Sequence, residues 1–294
     1  MATSVAEPRR AGLPQFGNWP KSAFFTIIGL LAMAIPTIIS MGSNYWSTED
    51  GVHGPIIFAT GLWLIWRERE WLLAEARPMR GWLWAIPLFL LGLLWVFART
   101  FGVESVESAS LYLIFVLAGI VYFGPRAMRR MWFPVLYMAF LIVPPGSLIV
   151  ELTQPMKIYI SSVAVEVLYF FGYPVAHTGA VIQVGQYQLL VATACAGLMS
   201  LFSLTAIGML YVHLSWNSNI KRAVILLLAI VPIAVFANFM RVITLVLLTY
   251  HAGSAVAQGI MHDMAGLITF SISLLAMFAV DKFLSIFFTN EAAA

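Results

Sequence analysis

The sequence contains few charged residues and a single cysteine, and each shortage excludes a class of protein. Charged residues make up 10% of the 294-residue chain, whereas a soluble globular domain carries roughly a quarter. Hydrophobic residues make up 61%, and no polar tract is long enough to form a separate soluble domain. This composition excludes a disordered regulator and a coiled coil, and the lone cysteine excludes a disulfide-stapled secreted module. An integral membrane protein remains.

Long apolar runs separated by short charged loops predict an all-α polytopic membrane protein. A membrane-spanning helix needs about 20 apolar residues, and eight runs approach that length. The eight predicted spans are Ala23–Met41, Gly51–Trp66, Gly81–Ala98, Ala109–Gly124, Met131–Val150, Ala196–His213, Ala223–Tyr250 and Met264–Phe288. The predicted organisation is a cytoplasmic tail over residues 1–22, one transmembrane domain over residues 23–288 and a second cytoplasmic tail over residues 289–294. The first run lacks the small-residue exit of a cleavable signal peptide.

The distribution of basic residues predicts the orientation of these spans. Alternate loops hold 13 of the 16 Lys and Arg residues, and loops rich in Lys and Arg face the cytoplasm. The other three basic residues are Arg99, Lys157 and Arg241, and that side also carries acidic residues such as Glu104 and Asp263. Both termini are therefore predicted to be cytoplasmic. Topology explains the net charge of +3 better than nucleic-acid binding does.

One long segment, from Pro144 to Ala194, separates the fifth and sixth predicted spans on the outer side. Its first part, Pro155–Phe171, mixes apolar and polar residues, which predicts a helix that lies at the interface or re-enters it. Gly172-Tyr173-Pro174 predicts the end of that helix. The stretch Ala180–Val191 is rich in β-branched residues around Gly185-Gln186, which predicts a small β-hairpin. This hairpin leads directly into Cys195.

Three chemically distinct residues are predicted at the outer membrane face. Cys195 stands at the start of the sixth predicted span, where a helix N-terminus lowers the pKa of a thiol and raises its thiolate fraction. Arg241 lies high on the seventh span, and an arginine inside an apolar helix costs roughly 2.5–3.5 kcal/mol on insertion scales. His262 precedes the eighth span, and an imidazole titrates near neutrality.

Each of the three residues also has an ordinary structural explanation. Cys195 could be a buried small hydrophobe, Arg241 could snorkel to the outer interface, and His262-Asp263 could be a common helix start. Together, however, they supply a nucleophile, an oxyanion or substrate clamp and a proton carrier. Asn238, three residues before Arg241 on the same helix face, and Asp263, beside His262, are predicted supporting residues.

Other chemistries find less support in the sequence. There is no H-E-x-x-H, no paired Cys or His at ligand spacing and no G-x-S-x-G, so neither a metal, a cofactor nor serine chemistry is expected. His251 is the only other histidine placed to act as a base. A non-enzymatic alternative is a carrier or assembly subunit for exopolysaccharide export that binds an anionic head group with Arg241 and His262. A carrier needs a polar path, whereas the first, third, fifth and sixth spans have almost no ionisable residue along their middles.

Three sequence blocks resemble the signature blocks of the exosortase/archaeosortase family. They are Thr193-Ala-Cys-Ala-Gly-Leu-Met-Ser200, Asn238-x-x-Arg241-Val242 and His262-x-x-x-Gly266. The Gly172-Tyr-Pro174 segment, the following Val181-Ile182 and the multi-span layout are similar to the family as well. The resemblance covers most of the chain after about residue 80.

The resemblance implies a cysteine protease or transpeptidase of the bacterial inner membrane with its active site facing the periplasm. Cys195 would be the nucleophile, Arg241 the transition-state or substrate-binding residue and His262 the acid/base. Substrates would be exported proteins with a C-terminal sorting signal, namely a motif followed by a transmembrane helix and a basic tail. Water, or an amine on an envelope glycan or lipid, would resolve a thioester intermediate. The family often has Ser directly after its cysteine and Arg four residues after it, where this chain has Ala196 and Met199.

Overall fold

The computed structural model describes residues 21–48, 51–79, 82–190, 197–215, 220–253 and 260–287, and for residues 21–23, 82, 190, 197–201 and 260–263 it describes the backbone alone. The described chain is mostly helical. Its helices are α1 (Lys21–Asn44), α2 (Gly54–Arg67), α3 (Arg69–Ala74), α4 (Ala85–Thr100), α5 (Glu104–Phe123), α6 (Pro125–Arg130), α7 (Trp132–Met138), α8 (Gly146–Phe170), α9 (Gly197–Leu214), α10 (Ile220–Ala252) and α11 (Ile260–Phe287). Short 3₁₀ turns lie at Trp82–Trp84 and Ala139–Leu141.

The eight predicted spans are not confirmed. Within the described residues, four helices are long and apolar enough to cross a membrane: Phe24–Asn44, Glu104–Phe123, Ile220–Ala252 and Met264–Phe287. Helices α2 and α4 contain 14 and 16 residues. At about 1.5 Å per residue, both are shorter than a hydrocarbon core of about 30 Å. Both helices are apolar, as predicted, but each is too short to cross the membrane completely.

The predicted fifth span, Met131–Val150, is not one helix. Trp132–Leu141 and Gly146–Phe170 are two helical pieces bent by 87°, and they raise the number of candidate spans to five if the pair counts as one. The break coincides with Pro144-Pro145. Proline has no N–H to donate and disfavours helical geometry in the residue before it. Apolar content alone does not reveal this interruption.

Helix α8 is longer than the predicted interfacial helix Pro155–Phe171. It begins at Gly146 and contains Pro155 in its interior. Proline favours the first helical position, which is why Pro155 indicates a helix start in the sequence, whereas here the helix continues through it. The predicted end is confirmed: α8 stops at Phe170, and Gly172 follows with a φ of 85°, a conformation that favours glycine.

The outer segment forms a three-stranded antiparallel sheet rather than a single hairpin. The strands are β1 (Val175–Thr178), β2 (Val181–Val184) and β3 (Tyr187–Leu190), in the order β1-β2-β3. The predicted hairpin around Gly185-Gln186 is confirmed as β2–β3, in which Val184 pairs with Tyr187. Strand β1 was not predicted, because Ala176-His177-Thr178 lacks a clear apolar alternation.

The sheet has one apolar and one polar face. Ile182, Val184 and Leu189 are buried in a core with residues of α8 and α10, whereas Gln183 and Gln188, which pair across β2 and β3, are exposed. Because side chains alternate along a strand, this pattern fixes which face packs on the helices. The sheet is thereby attached to α10.

The chain divides into two compact units, as far as its residues are described. The first consists of Met1–Ser47 and Gly54–Val143, and the second of Thr48–His53 and Pro144–Ala294. The single transmembrane domain over residues 23–288 stays a prediction. Each unit contains a network of polar side chains around a buried carboxylate, and each network joins three helices of its unit.

The first unit contains a buried carboxylate with two hydrogen-bond donors. Glu107 on α5 is 4% exposed. Its Oε1 accepts hydrogen bonds from Thr37 Oγ1 of α1 and Arg99 Nη1 of α4, both at 2.7 Å. Trp95 Nε1 donates to Thr37 Oγ1 at 3.0 Å. A buried charge is tolerated when it is paired and hydrogen-bonded, so this network joins three helices by polar contacts.

The second unit contains an antiparallel pair of long helices, α10 and α11, with α9 packed against both. At one end, Arg222 of α10 holds Asp281 of α11 in a bidentate pair, with Nε donating to Oδ1 at 2.8 Å and Nη2 donating to Oδ2 at 2.6 Å. The Tyr211 hydroxyl of α9 donates to the same Oδ2 at 2.6 Å. This cluster fixes the register of three helices at that end.

Replacing Asp281 with Ala should lower the free energy of unfolding by about 3 kcal/mol, the lower end of the range for breaking a buried ion pair, because the Arg222 guanidinium that loses its carboxylate is partly exposed. The double variant Arg222→Leu/Asp281→Leu should lose less than Asp281→Ala, since no buried charge is left over. Thermal unfolding in detergent measures both, with the exposed neighbour variant Lys282→Gln as control. A double variant less stable than Asp281→Ala would contradict this reasoning.

Candidate active site

The predicted nucleophile lies between a described strand and a described helix. Cys195 itself falls in residues 191–196, outside the described part of the chain. Strand β3 ends at Leu190, and α9 begins at Gly197, two residues after the cysteine. Leu189 of β3 is buried in the core shared with α10, and α9 also contacts α10. The chain on both sides of Cys195 is therefore anchored on the helix that carries Arg241.

Arg241 lies on the buried face of α10. Its side chain is 5% exposed, and Asn238, one turn earlier, is 3% exposed. Ala234, Ala237, Val242 and Leu245 are buried on the same helix, at the three- and four-residue spacing of one helix face. A guanidinium that snorkels to an interface stays at the helix surface, so the burial of Arg241 argues against that explanation.

The guanidinium of Arg241 packs against a glycine of α11. An ideal Cβ built on Gly266 would lie 3.1 Å from Nη2, 3.4 Å from Cζ and 3.7 Å from Nη1 of Arg241. Three atoms of one planar group thus lie over the position where a side chain would begin. This contact is far from the Arg222–Asp281 pair, because the 19 residues from Arg222 to Arg241 on α10 correspond to roughly 28 Å.

The predicted acid/base residue lies on the helix that the guanidinium contacts. His262 and Asp263 belong to the first turn of α11, which begins at Ile260. Gly266 follows His262 by four residues and shares its helix face, about 5–6 Å along the axis. The structure therefore brings Arg241 against the His262 face of α11, within one helical turn. The side chains of His262 and Asp263 lie outside the described residues, so the orientation of the imidazole by Asp263 stays a prediction.

His251, the other candidate base, is separated from Arg241. It is exposed in the last turn of α10, ten residues and roughly 15 Å along the helix from Arg241. Its ring contacts those of Tyr250 and Tyr173 edge to face, with centroid distances of 5.0 and 6.0 Å. Such amphipathic rings suit a membrane interface, and this location makes His251 a poor substitute for His262.

The residues described in the structure contain no group of three or more His, Cys, Asp or Glu side chains arranged to hold a metal ion. The arrangement at Arg241 instead offers hydrogen-bond donors in a buried setting. A guanidinium carries five N–H donors in a rigid, planar group and stays protonated in proteins. In a low-dielectric environment such donors stabilise developing negative charge strongly. The described part of the site is therefore suited to bind an oxyanion or a carboxylate.

The sequence alone does not assign a role to Gly266. The residue is only the last member of the His262-x-x-x-Gly266 block. The available signal is a small residue one helical turn after the histidine, which marks a place where another group approaches the helix backbone closely. Only the structure identifies that group as the Arg241 guanidinium.

A comparison with protein-family models shows what this chain is similar to. The family described as transmembrane exosortase matches residues 45–279 of the chain, well over half of its length, and the matched region contains Cys195, Arg241 and His262. Neither the curated proteins nor the solved structures gave a match. With its apolar helices and this match, the chain is a multi-pass membrane protein that belongs to the transmembrane exosortase family.

Proposed function

We propose that this protein is a membrane-embedded cysteine protease or transpeptidase that cleaves C-terminal sorting signals from exported proteins. The family match supports this proposal, because membership of the exosortase family generally implies a cysteine transpeptidase. The catalytic residues of the proposal are Cys195, Arg241 and His262. Asn238 and Asp263 are proposed as supporting residues.

The single observation that carries the proposal is the contact of Arg241 with Gly266. It joins two sequence blocks that are distant along the chain, since the guanidinium of α10 lies against α11 one turn from His262. A buried arginine in an apolar helix is costly and marks a functional site more often than a structural one. Acyl transfer needs a hydrogen-bond donor to the oxyanion and a proton carrier close to each other. Arg241 and His262 lie on adjacent helices and could supply both.

The proposed reaction proceeds through an acyl-enzyme. The thiolate of Cys195 attacks the scissile carbonyl carbon, and the carbonyl oxygen becomes an oxyanion that accepts hydrogen bonds from Arg241. His262 gives a proton to the leaving amine as the C–N bond breaks. The product is a thioester between Cys195 and the new C-terminal carbonyl, while the membrane helix of the substrate is released. Water, or an amine on an envelope glycan or lipid, then attacks the thioester and regenerates the thiol.

Membrane anchoring of both molecules supports this assignment. A sorting signal that precedes a transmembrane helix presents its cleavage site at the membrane interface, at a fixed depth. Because enzyme and substrate are held at the same depth in the membrane, less entropy is lost when they come together. We propose that the site faces the periplasm of a bacterial inner membrane, with both termini in the cytoplasm, as the distribution of Lys and Arg predicts.

The test is a comparison of the source strain with and without this chain. The gene is deleted and restored on a plasmid, and the C-terminal peptides of exported proteins are identified by mass spectrometry. We expect proteins with a C-terminal membrane helix and basic tail to lose that region only when the chain is present.

The same experiment addresses the alternative of a carrier or assembly subunit for exopolysaccharide export. A carrier would alter the secreted polysaccharide while every exported protein kept its C-terminal region in both strains. That outcome would refute the proteolytic function. Loss of processing on deletion, restored by the plasmid, would support it.

A further inference from the structure

Gly266 is distinguished from other glycines of the described helices by what faces it. Gly29 and Gly92 have no heavy atom within 4 Å of an added Cβ. An added Cβ at Gly208 would meet the aliphatic Ile230 side chain at 2.5 Å and Met277 at 3.3 Å, a tight packing of apolar groups. At Gly266 the three nearest atoms all belong to the guanidinium of Arg241.

The burial of Arg241 leaves its guanidinium little room to move. The side chain is 5% exposed, and the neighbouring Val242 and Leu245 are fully buried. A methyl group at Gly266 would lie 3.1 Å from Nη2, which is too close for a carbon–nitrogen contact at its usual separation of about 3.5 Å or more. The guanidinium would have to shift by a few tenths of an ångström, and a shift of that size is large for a group that must meet a reacting atom.

Helix propensity alone would predict that Gly266→Ala is favourable. Alanine is a better helix former than glycine, so an exposed or loosely packed Gly266→Ala would favour α11. Small residues also occur where two membrane helices approach closely, and Gly208 shows that use in this chain. At Gly266 the approaching group is a catalytic candidate rather than an apolar side chain.

We propose that Gly266 is a positioning residue for the proposed reaction: the absence of a side chain at this position sets where the Arg241 guanidinium lies relative to the His262 turn of α11. This inference rests on the proposed function, because it concerns the alignment of that site. Gly266, from the His262-x-x-x-Gly266 block, would thus help to fix the position of Arg241, the proposed oxyanion donor.

The test is a double-mutant cycle between positions 266 and 241. The substrate is a fluorescent protein that carries the C-terminal region of an exported protein processed in the deletion experiment. Gly266→Ala should lower kcat about tenfold with little change in KM, because the cost falls on transition-state alignment. In an Arg241→Lys background the same substitution should cause less than about a twofold further loss, because lysine has no Cζ, Nη1 or Nη2 to displace.

Two glycine variants separate positioning from packing. Gly92→Ala, with open space around it, should leave kcat unchanged and should not lower thermal stability, because alanine favours the helix. Gly208→Ala should lower thermal stability without lowering kcat for the folded enzyme. Gly266→Ala is expected to lower kcat without a comparable fall in thermal stability.

Equal losses from Gly266→Ala in the wild-type and Arg241→Lys backgrounds would overturn the inference, as would wild-type kcat in the single variant. A loss that follows thermal stability, as for Gly208→Ala, would also overturn it. Failure of the proposed function gives a different result: Cys195→Ala would still process the reporter. If Cys195→Ala is inactive and Gly266→Ala is fully active, only the positioning role fails.

Discussion

Cys195→Ala should abolish processing of the sorting-signal reporter, with a loss on the order of 10⁴-fold or more. Alanine has no group that can attack a carbonyl carbon, and Cys195 is the only cysteine of the chain, so no second thiol can take its place. Cys195→Ser should be nearly as defective, because the proposed reaction uses a thiolate, and a serine hydroxyl is not ionised at neutral pH and is a weak nucleophile. Reporter size on a gel, at equal amounts of membrane-inserted enzyme, measures the effect.

The neighbouring variant Ala196→Ser is a suitable control. It changes the residue directly after the cysteine to the one that the family often has there, and it leaves the thiol in place. We expect it to process the reporter at close to the wild-type rate. Substantial processing by Cys195→Ala would refute the nucleophile assignment, whatever the behaviour of the control.

Arg241→Gln should lower kcat by about 10²–10³-fold, equivalent to roughly 2.7–4 kcal/mol, the range found when one oxyanion donor is removed. Glutamine keeps a shorter hydrogen-bonding group but loses the charge and the planar set of N–H donors. Arg241→Lys keeps the charge and should lose less. Because removal of a buried charge lowers the cost of membrane insertion, the Gln variant should accumulate normally in the membrane.

Met240→Ala is the matched control for Arg241. Met240 is the adjacent residue of α10 and is 43% exposed, so its truncation alters the same helix without touching the buried face. It should leave kcat within about twofold of the wild type, as is usual for an exposed position. If Arg241→Gln loses thermal stability but keeps kcat, the arginine is structural and the oxyanion role is wrong.

The helices with strong apolar patterns could be predicted from the sequence. The predicted spans Ala23–Met41, Ala109–Gly124, Ala223–Tyr250 and Met264–Phe288 correspond to α1, α5, α10 and α11, each of which is long enough to cross a membrane. The hairpin β2–β3 was also predictable, because Gly185-Gln186 separates two stretches rich in β-branched residues.

The bent region between Trp132 and Phe170 could not be predicted from apolar content. Hydropathy reports whether a segment tolerates lipid, and it does not report where the backbone stops being helical. The helical path breaks at Pro144-Pro145, whereas Pro155 does not interrupt α8. The cost of a proline depends on whether tertiary packing compensates for its missing hydrogen bond, and local sequence does not contain that information.

The residues of the candidate site could be predicted from the sequence, but the contact between Arg241 and Gly266 could not. The sequence predicted Arg241 and His262 on neighbouring helices, and the structure places the Arg241 guanidinium against α11 one turn from His262. The approach to Gly266 depends on the antiparallel register of α10 and α11, which the Arg222–Asp281 pair fixes at the far end. Such a register is a property of tertiary packing, and a periodic pattern in either helix alone cannot specify it.

The most direct measurement of the central claim is chemical trapping of the acyl-enzyme. Membranes that contain the wild-type chain are incubated with the reporter and hydroxylamine, and the new C-terminus of the reporter is identified by mass spectrometry. Hydroxylamine is a strong nucleophile toward thioesters, so the account predicts a C-terminal hydroxamate with the wild-type chain and none with Cys195→Ala. A reporter cleaved to a free carboxylate alone at saturating hydroxylamine, or a hydroxamate formed by Cys195→Ala, would contradict a thioester at Cys195.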